Sequence, residues 1–327
     1  MTSTAPETSS ACATDAVEIE LDPVERAELL ALVSRIAPGS VDDPRWQEQC
    51  RAAGALPQRI GALVRAFRHD PGPEGTAFLA KLPLGAPALP PTPREPDSAE
   101  PHSTTPAVLS LLLGNELGTV VAYRDEKRGS LVQNVVPVHS LAGSQSNGGS
   151  VELELHTENA FHPHRPDYVG LLCLRSAHED RIGTRVASIR RALPLLSSTA
   201  RGLLQEARFV TEAPPSFRAV GRSEPRPVLT GAPEDPDVCV DFNATRALDR
   251  QAGLALDHLR EALLAVCRDL VLDPGDMVFV DNRIAVHGRA PFTPRYDGSD
   301  RWLHRVFVHL DHRRSRPHRS DNGVVLG

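Results

Sequence analysis

The chain has 327 residues, 40% of them hydrophobic, and a formal net charge of −6 at pH 7, which is enough apolar material for one large core or two smaller ones. No long basic run stands out, so the electrostatic footprint of a nucleic-acid binder is missing. No window approaches the roughly 18 consecutive apolar residues of a membrane span, and the five cysteines (Cys12, Cys50, Cys173, Cys239, Cys267), which form no Cys-x-x-Cys pair, read as reduced thiols of a cytoplasmic protein.

In chain order, residues 1–18 begin Ser-, Thr- and Ala-rich without a basic start or an apolar stretch and read as a disordered leader; residues 19–327 read as a single domain. Residues 23–36 carry an apolar helical stripe (Leu29, Leu30, Leu32, Val33, Ile36) behind Asp22 as cap, and a second helix is predicted over 58–68. Proline dominates 83–106, so an extended, irregular loop is expected there. Strands are predicted over 119–123, 131–138, 151–156 and 168–174, and helices over 195–207 and 246–270. Prolines, glycine and arginines without periodicity mark 212–230 as a candidate lid. The apolar segments 277–280 and 284–286, joined by the polar turn Asp281-Asn282-Arg283, predict a hairpin leading into His287, and 302–310 gives a last strand. Many short strands with helices before and between them predict a mainly β fold, an antiparallel double-sheet jelly roll (double-stranded β-helix) with flanking α-helices.

From Ser150 to His156 apolar and polar residues alternate, so His156 and Glu158 of His156-Thr157-Glu158 fall on one side of the chain at a strand's end. With His287 they supply two imidazoles and one carboxylate, a set that leaves adjacent coordination positions open as in non-haem Fe(II) oxygenases. Arg301, opening the next strand, offers a bidentate partner for a carboxylate beside the metal. The same ligands also suit a hydrolytic zinc site, and a non-catalytic metal- or small-molecule-binding jelly roll would keep the strands without needing the arginines. A radical halogenase is disfavoured, because Glu158 fills the position a halide would take. His162 and His164, set among prolines, read as loop residues beside the site, and Glu152 and Glu154 as solvated or hydrogen-bonded strand residues.

The segment beginning His156-Thr157-Glu158-Asn159-Ala160-Phe161-His162, the pair Asp281-Asn282-Arg283 and His287-Gly288-Arg289, and Thr293-Pro294-Arg295-Tyr296-Asp297-Gly298 with Arg301-Trp302-Leu303 resemble the clavaminate synthase-like branch of Fe(II)/2-oxoglutarate oxygenases. More narrowly, they resemble its free amino-acid hydroxylases, which include asparagine and arginine β-hydroxylases of antibiotic pathways. The resemblance covers residues 131–327. It implies an enzyme that uses Fe(II), 2-oxoglutarate and O2 to hydroxylate C3, or C4 in a longer substrate, of a free L-amino acid while the keto acid is decarboxylated to succinate. By the same resemblance His156, Glu158 and His287 hold iron, and Arg301 with Thr184 takes the distal carboxylate of 2-oxoglutarate. Arg305 would grip the substrate α-carboxylate, Glu126 and Asn147 with neighbouring Ser146 its ammonium and side chain, and Asp241 the side-chain end. Arginine-binding members tend to show two acids where this chain has Asp241 and then Asn243. One carboxylate with an amide suits a neutral carboxamide or ureido group. That ranks asparagine first, citrulline and glutamine next, and L-arginine as the alternative. Asn159 stands where related sequences carry an acid.

Overall fold

The computed structural model describes residues 17–85, 88–176, 182–217 and 221–327. Its helices are α1 (Pro23–Ser34), α2 (Pro44–Ala52), α3 (Gln58–His69), α4 (Thr105–Leu117), α5 (Ile189–Ala192), α6 (Ser198–Leu204) and α7 (Arg250–Ala265). The first eight strands are β1 (Val17–Glu20), β2 (Thr76–Ala80), β3 (Thr119–Tyr123), β4 (Gln133–Val135), β5 (Leu153–His156), β6 (Tyr168–Arg175), β7 (Thr184–Ser188) and β8 (Phe209–Thr211). The rest are β9 (Leu229–Ala232), β10 (Asp235–Val238), β11 (Thr245–Ala247), β12 (Arg268–Leu270), β13 (Met277–Asp281), β14 (Ala285–Arg289), β15 (Trp302–His309) and β16 (Val325–Leu326).

Local chemistry sets several boundaries. Asp22 caps α1 by accepting from the Val24 and Glu25 amides at 2.8 and 2.9 Å, while Glu25 returns a bond to the Asp22 amide at 3.0 Å. This reciprocal box satisfies amides that the first helical turn leaves unpaired. Asp43 caps α2 more simply, accepting from the Arg45 amide at 2.8 Å with Pro44 in the first turn, a cap-plus-proline signal present in the sequence although apolar periodicity there is weak. α4 begins inside the proline-rich stretch expected to be irregular through residue 106. Its proline lies in the first turn, and the helix is buried from Pro106 to Gly114. Residues 266–270 leave the expected long helix, and Arg268–Leu270 pairs as a strand with β7. Val17 and Glu18, assigned to the leader, pair in β1 with β2; residues 1–16, with Cys12, lie outside the described residues.

Two sheets form the core. The larger runs β1-β2-β13-β6-β15-β3-β16 with β4 also on β15, and the smaller runs β12-β7-β14-β5. Two-stranded ladders β9–β10 and β8–β11 lie apart from both. Pairing is antiparallel within the two sheets except that β1–β2 and β3–β16 are parallel, which corrects the all-antiparallel expectation. The period of two then sorts side chains by face. Trp302, Val306 and Val308 of β15 join the core under α1–α4, whereas Leu303 and Phe307 join Val186 and Ala285 between the sheets. On β14, Val286 faces α6 and α7 while Ala285 faces inward.

The predicted hairpin at 277–286 is not one. β13 pairs with β2 and β6, β14 with β5 and β7, so the turn carries the chain from one sheet to the other. Turn chemistry is present, but a tight reversal and a sheet-to-sheet crossover use the same residues, and only distant partners choose between them. Among the described residues no helix is long and apolar enough to cross a membrane, and Cys50, Cys173, Cys239 and Cys267 are free thiols.

Candidate active site

His156 and His287 are cross-strand neighbours on β5 and β14, with ring centroids 4.4 Å apart. Glu158 lies just past the end of β5, its carboxylate 3.4 Å from His287 Nε2. One ligand atom from each of the three lies within 4.8 Å of the others, and no other such set is found among the described residues. His156 Nδ1 is 2.9 Å from the Glu154 carbonyl oxygen; donating there fixes the tautomer and frees Nε2 for a metal. Burial and nearby His156 lower the His287 pKa, which keeps its imidazole neutral. Burial disfavours charge on Glu158, but Arg305 and the bond from His287 outweigh it and hold the carboxyl well below the usual range. Two imidazoles and one carboxylate are a donor set that fits Fe(II).

The Glu158 backbone is clamped by Asn282, a fully buried residue of the crossover turn. Its side chain accepts from the Glu158 amide at 2.7 Å and donates to the Glu158 and Pro166 carbonyls at 3.1 and 2.8 Å. The Thr157 amide donates to the Val240 carbonyl at 2.7 Å, and the Thr157 hydroxyl accepts from the Val240 amide at 3.1 Å. An antiparallel bridge joins His156 to Asp241. Asp241 Oδ1 accepts from the amides of Asn243 and Ala244 at 2.8 and 3.0 Å, while Oδ2 has no hydrogen-bond partner among the described residues.

A cavity of about 570 Å³ opens between the sheets over these residues, lined also by Glu126, Ser146, Asn147, Thr184, Arg301 and Arg305. Every position proposed from sequence for the site therefore meets one cavity. Arg305 is buried against carboxylates: Nη1 is 3.1 Å from both Glu158 oxygens, Nη2 bonds Glu126, and Gln133 Oε1 accepts from Nε at 3.1 Å. Burial raises the Glu126 pKa, partly offset by Arg305, and Asn159, in the left-handed region at φ 51°, reaches Glu126 at 3.4 Å. An amide at this position can donate to Glu126, as a carboxylate could not. Arg301 is buried and donates to Thr184 at 3.3 Å, with no carboxylate paired to it among the described residues. A buried guanidinium without an anion is costly, so this end of the cavity fits the distal carboxylate of a keto diacid.

His162 and His164 are not ligands; His162 packs edge-on to Tyr123 at 4.9 Å and accepts from the His164 amide at 3.0 Å. Glu152 pairs with Arg185 and Glu154 with Arg260. Of the candidate lid, residues 212–217 line the cavity and Phe217 packs on Phe161 at 4.8 Å; residues 218–220 lie outside the described residues. Sequence reasoning missed Gln133, Arg289 and the clamping role of Asn282. Their signal was a polar side chain inside an apolar strand or turn, a pattern that does not name the partner.

The sequence profile of the family "Taurine catabolism dioxygenase TauD, TfdA family" matches residues 104–307. The chain is 46% identical over 293 residues to an L-asparagine oxygenase of Streptomyces coelicolor, covering 89% of this chain and 88% of that protein. It is 37% identical to an L-lysine 3-hydroxylase of Catenulispora acidiphila, over 84% of this chain and 78% of that one. The crystal structure of an asparagine oxygenase with Fe(II), (2S,3S)-3-hydroxyasparagine and succinate superposes with a TM-score of 0.91 at 43% identity, covering 95% of this chain and 99% of that one. The chain thus belongs to the TauD/TfdA family, and it is an Fe(II)- and 2-oxoglutarate-dependent dioxygenase.

Proposed function

We propose that this dioxygenase hydroxylates C3 of free L-asparagine on a double-stranded β-helix scaffold formed by the two facing sheets, within one domain whose first strand begins at Val17. The observation that carries the substrate is Asp241. One oxygen is spent on its own turn and one remains open, and the exposed Asn243 lines the same cavity. A single acceptor with an amide matches the carboxamide of asparagine, whereas a guanidinium would retain uncompensated charge.

Bound at His156, Glu158 and His287, iron with 2-oxoglutarate and O2 supplies the C–H hydroxylating chemistry. The protein's own residues set where it falls. Arg301 and Thr184 hold the distal carboxylate of the keto acid. Arg305 is positioned by Gln133 and trades its bonds to Glu126 and Glu158 for the substrate α-carboxylate, which frees Glu126, with Asn147 and Ser146 nearby, to receive the ammonium. Asp241 lies one strand spacing, about 4.8 Å, from the metal-ligand strand, because backbone bonds tie 240–242 to 155–157. Both ends of a short amino acid are thereby clamped close to the metal, and C3 is the carbon between them. Residues 212–217, which line the cavity, form the described part of the lid that excludes water.

The test is a panel of the amino acids with citrulline, read by mass spectrometry for a one-oxygen gain and by succinate release. Asparagine is expected to give 3-hydroxyasparagine with matched succinate. Preferred turnover of arginine or lysine would overturn the substrate assignment.

A further inference from the structure

Beside Arg301 lies a second buried cation that the roles above leave unused. Arg289 is 4% exposed and lines the same cavity. It follows His287 by two residues on β14, so its side chain shares the inward face, about 6.6 Å further along the strand. In the β14–β7 ladder its direct partner is Thr184, the residue whose hydroxyl accepts from Arg301, and directly paired residues project from the same face. The Arg289 guanidinium donates through Nη2 to the Val151 carbonyl at 3.1 Å and lies 5.0 Å over the Phe292 ring. Its Nε is buried without a hydrogen-bond partner among the described residues. Neither Arg289 nor Arg301 pairs with a carboxylate among the described residues. Two adjacent buried cations with no acid call for an anion from outside the protein.

We propose that Arg289 is a second positioning cation for the distal carboxylate of 2-oxoglutarate, so that this end of the cavity takes a diacid between two guanidiniums and discriminates against keto monoacids. The proposal rests on the assignment of Arg301 and Thr184 to that carboxylate. Arg301 approaches from the start of β15 in the large sheet and Arg289 from β14 in the small one, so the diacid also ties the two sheets together.

The test is anaerobic calorimetry on the Fe(II) protein with 2-oxoglutarate, succinate and 2-oxopentanoate, the last having the same chain length but no distal carboxylate. Arg289→Gln can keep the bond to Val151 but loses the charge. It is expected to weaken 2-oxoglutarate and succinate about tenfold or more while leaving 2-oxopentanoate within about twofold. Arg289→Lys keeps the charge without the fork and is expected to weaken the two diacids alone by about threefold, and it decides the matter if the glutamine variant does not fold. Equal weakening of all three ligands, or of none, would assign Arg289 to Val151 and Phe292 alone. Arg301→Gln run in parallel separates the two assignments. If it weakens the diacids selectively and Arg289→Gln does not, only the Arg289 proposal fails; if neither does, the location of the distal carboxylate fails with it.

Discussion

Glu158 is the residue on which two demands meet, since it must stay ionised for the metal while buried beside Arg305 and His287. Glu158→Ala removes the one anionic ligand and leaves Arg305 facing Glu126 alone. Iron content per chain and turnover are both expected to fall to background, and retained iron with retained hydroxylation would take Glu158 out of the metal shell. Asp241 acts further out. Asp241→Asn keeps an oxygen for the turn amides but presents an amide where the open acceptor was. A changed amino-acid preference is expected with much less effect on 2-oxoglutarate decay without substrate, and an unchanged profile would show that Asp241 does not read the side chain. At this scale the sequence was informative. His-x-Glu and a later histidine announce a metal set by residue type alone, whereas Gln133 and Asn282 act through hydrogen bonds to groups 172 and 124 positions away, and nothing in their neighbours reveals such partners.

Among the elements, the crossover turn between β13 and β14 does the most for the site. It delivers His287 to the small sheet, and through Asn282 it pins the backbone of Glu158 from the other side. Asn282→Ala strips the Glu158 amide and two carbonyls of buried partners, and a stability loss of about 2–4 kcal/mol is expected in urea unfolding, with weakened iron retention. Unchanged stability and full iron occupancy would show that the clamp is dispensable. This turn is also where local reading failed. Apolar strand, polar turn, apolar strand is the pattern of a hairpin, yet both arms found other partners. β-pairing is chosen by non-local contacts, and the arms of one turn are not obliged to choose each other. Strand positions were nonetheless well read: 119–123 coincides with β3, and 168–174 falls one residue short of β6.

For the whole molecule, the two sheets bury titratable groups that need no charge to fold. Burial lowers the pKa of His304 to about 3, and those of His162 and His309 to about 4; both His304 nitrogens lack hydrogen-bond partners among the described residues. The folded pKa lies below the unfolded value, so the unfolded chain binds more protons between these limits, and stability falls as pH drops from about 6.5 toward 4. His304 alone is expected to cost on the order of 2 kcal/mol between pH 7 and pH 5. His304→Leu should shrink that pH difference in urea unfolding curves, and an unchanged difference would mean that His304 is not held neutral. Chain chemistry by itself determined the metal donor types, the capped first helix and the strand-rich centre, because these rest on residue type and short-range spacing, while the kind of co-substrate followed from the resemblance to a family. Tertiary structure alone decided which strands pair, that α4 rises from a proline-rich stretch, that one Asp241 oxygen is already spent, and that Arg289 and Arg301 meet without an acid. Each of these depends on groups far apart in sequence reaching the same buried volume, where the energy of a charge or a hydrogen bond is fixed by its neighbours.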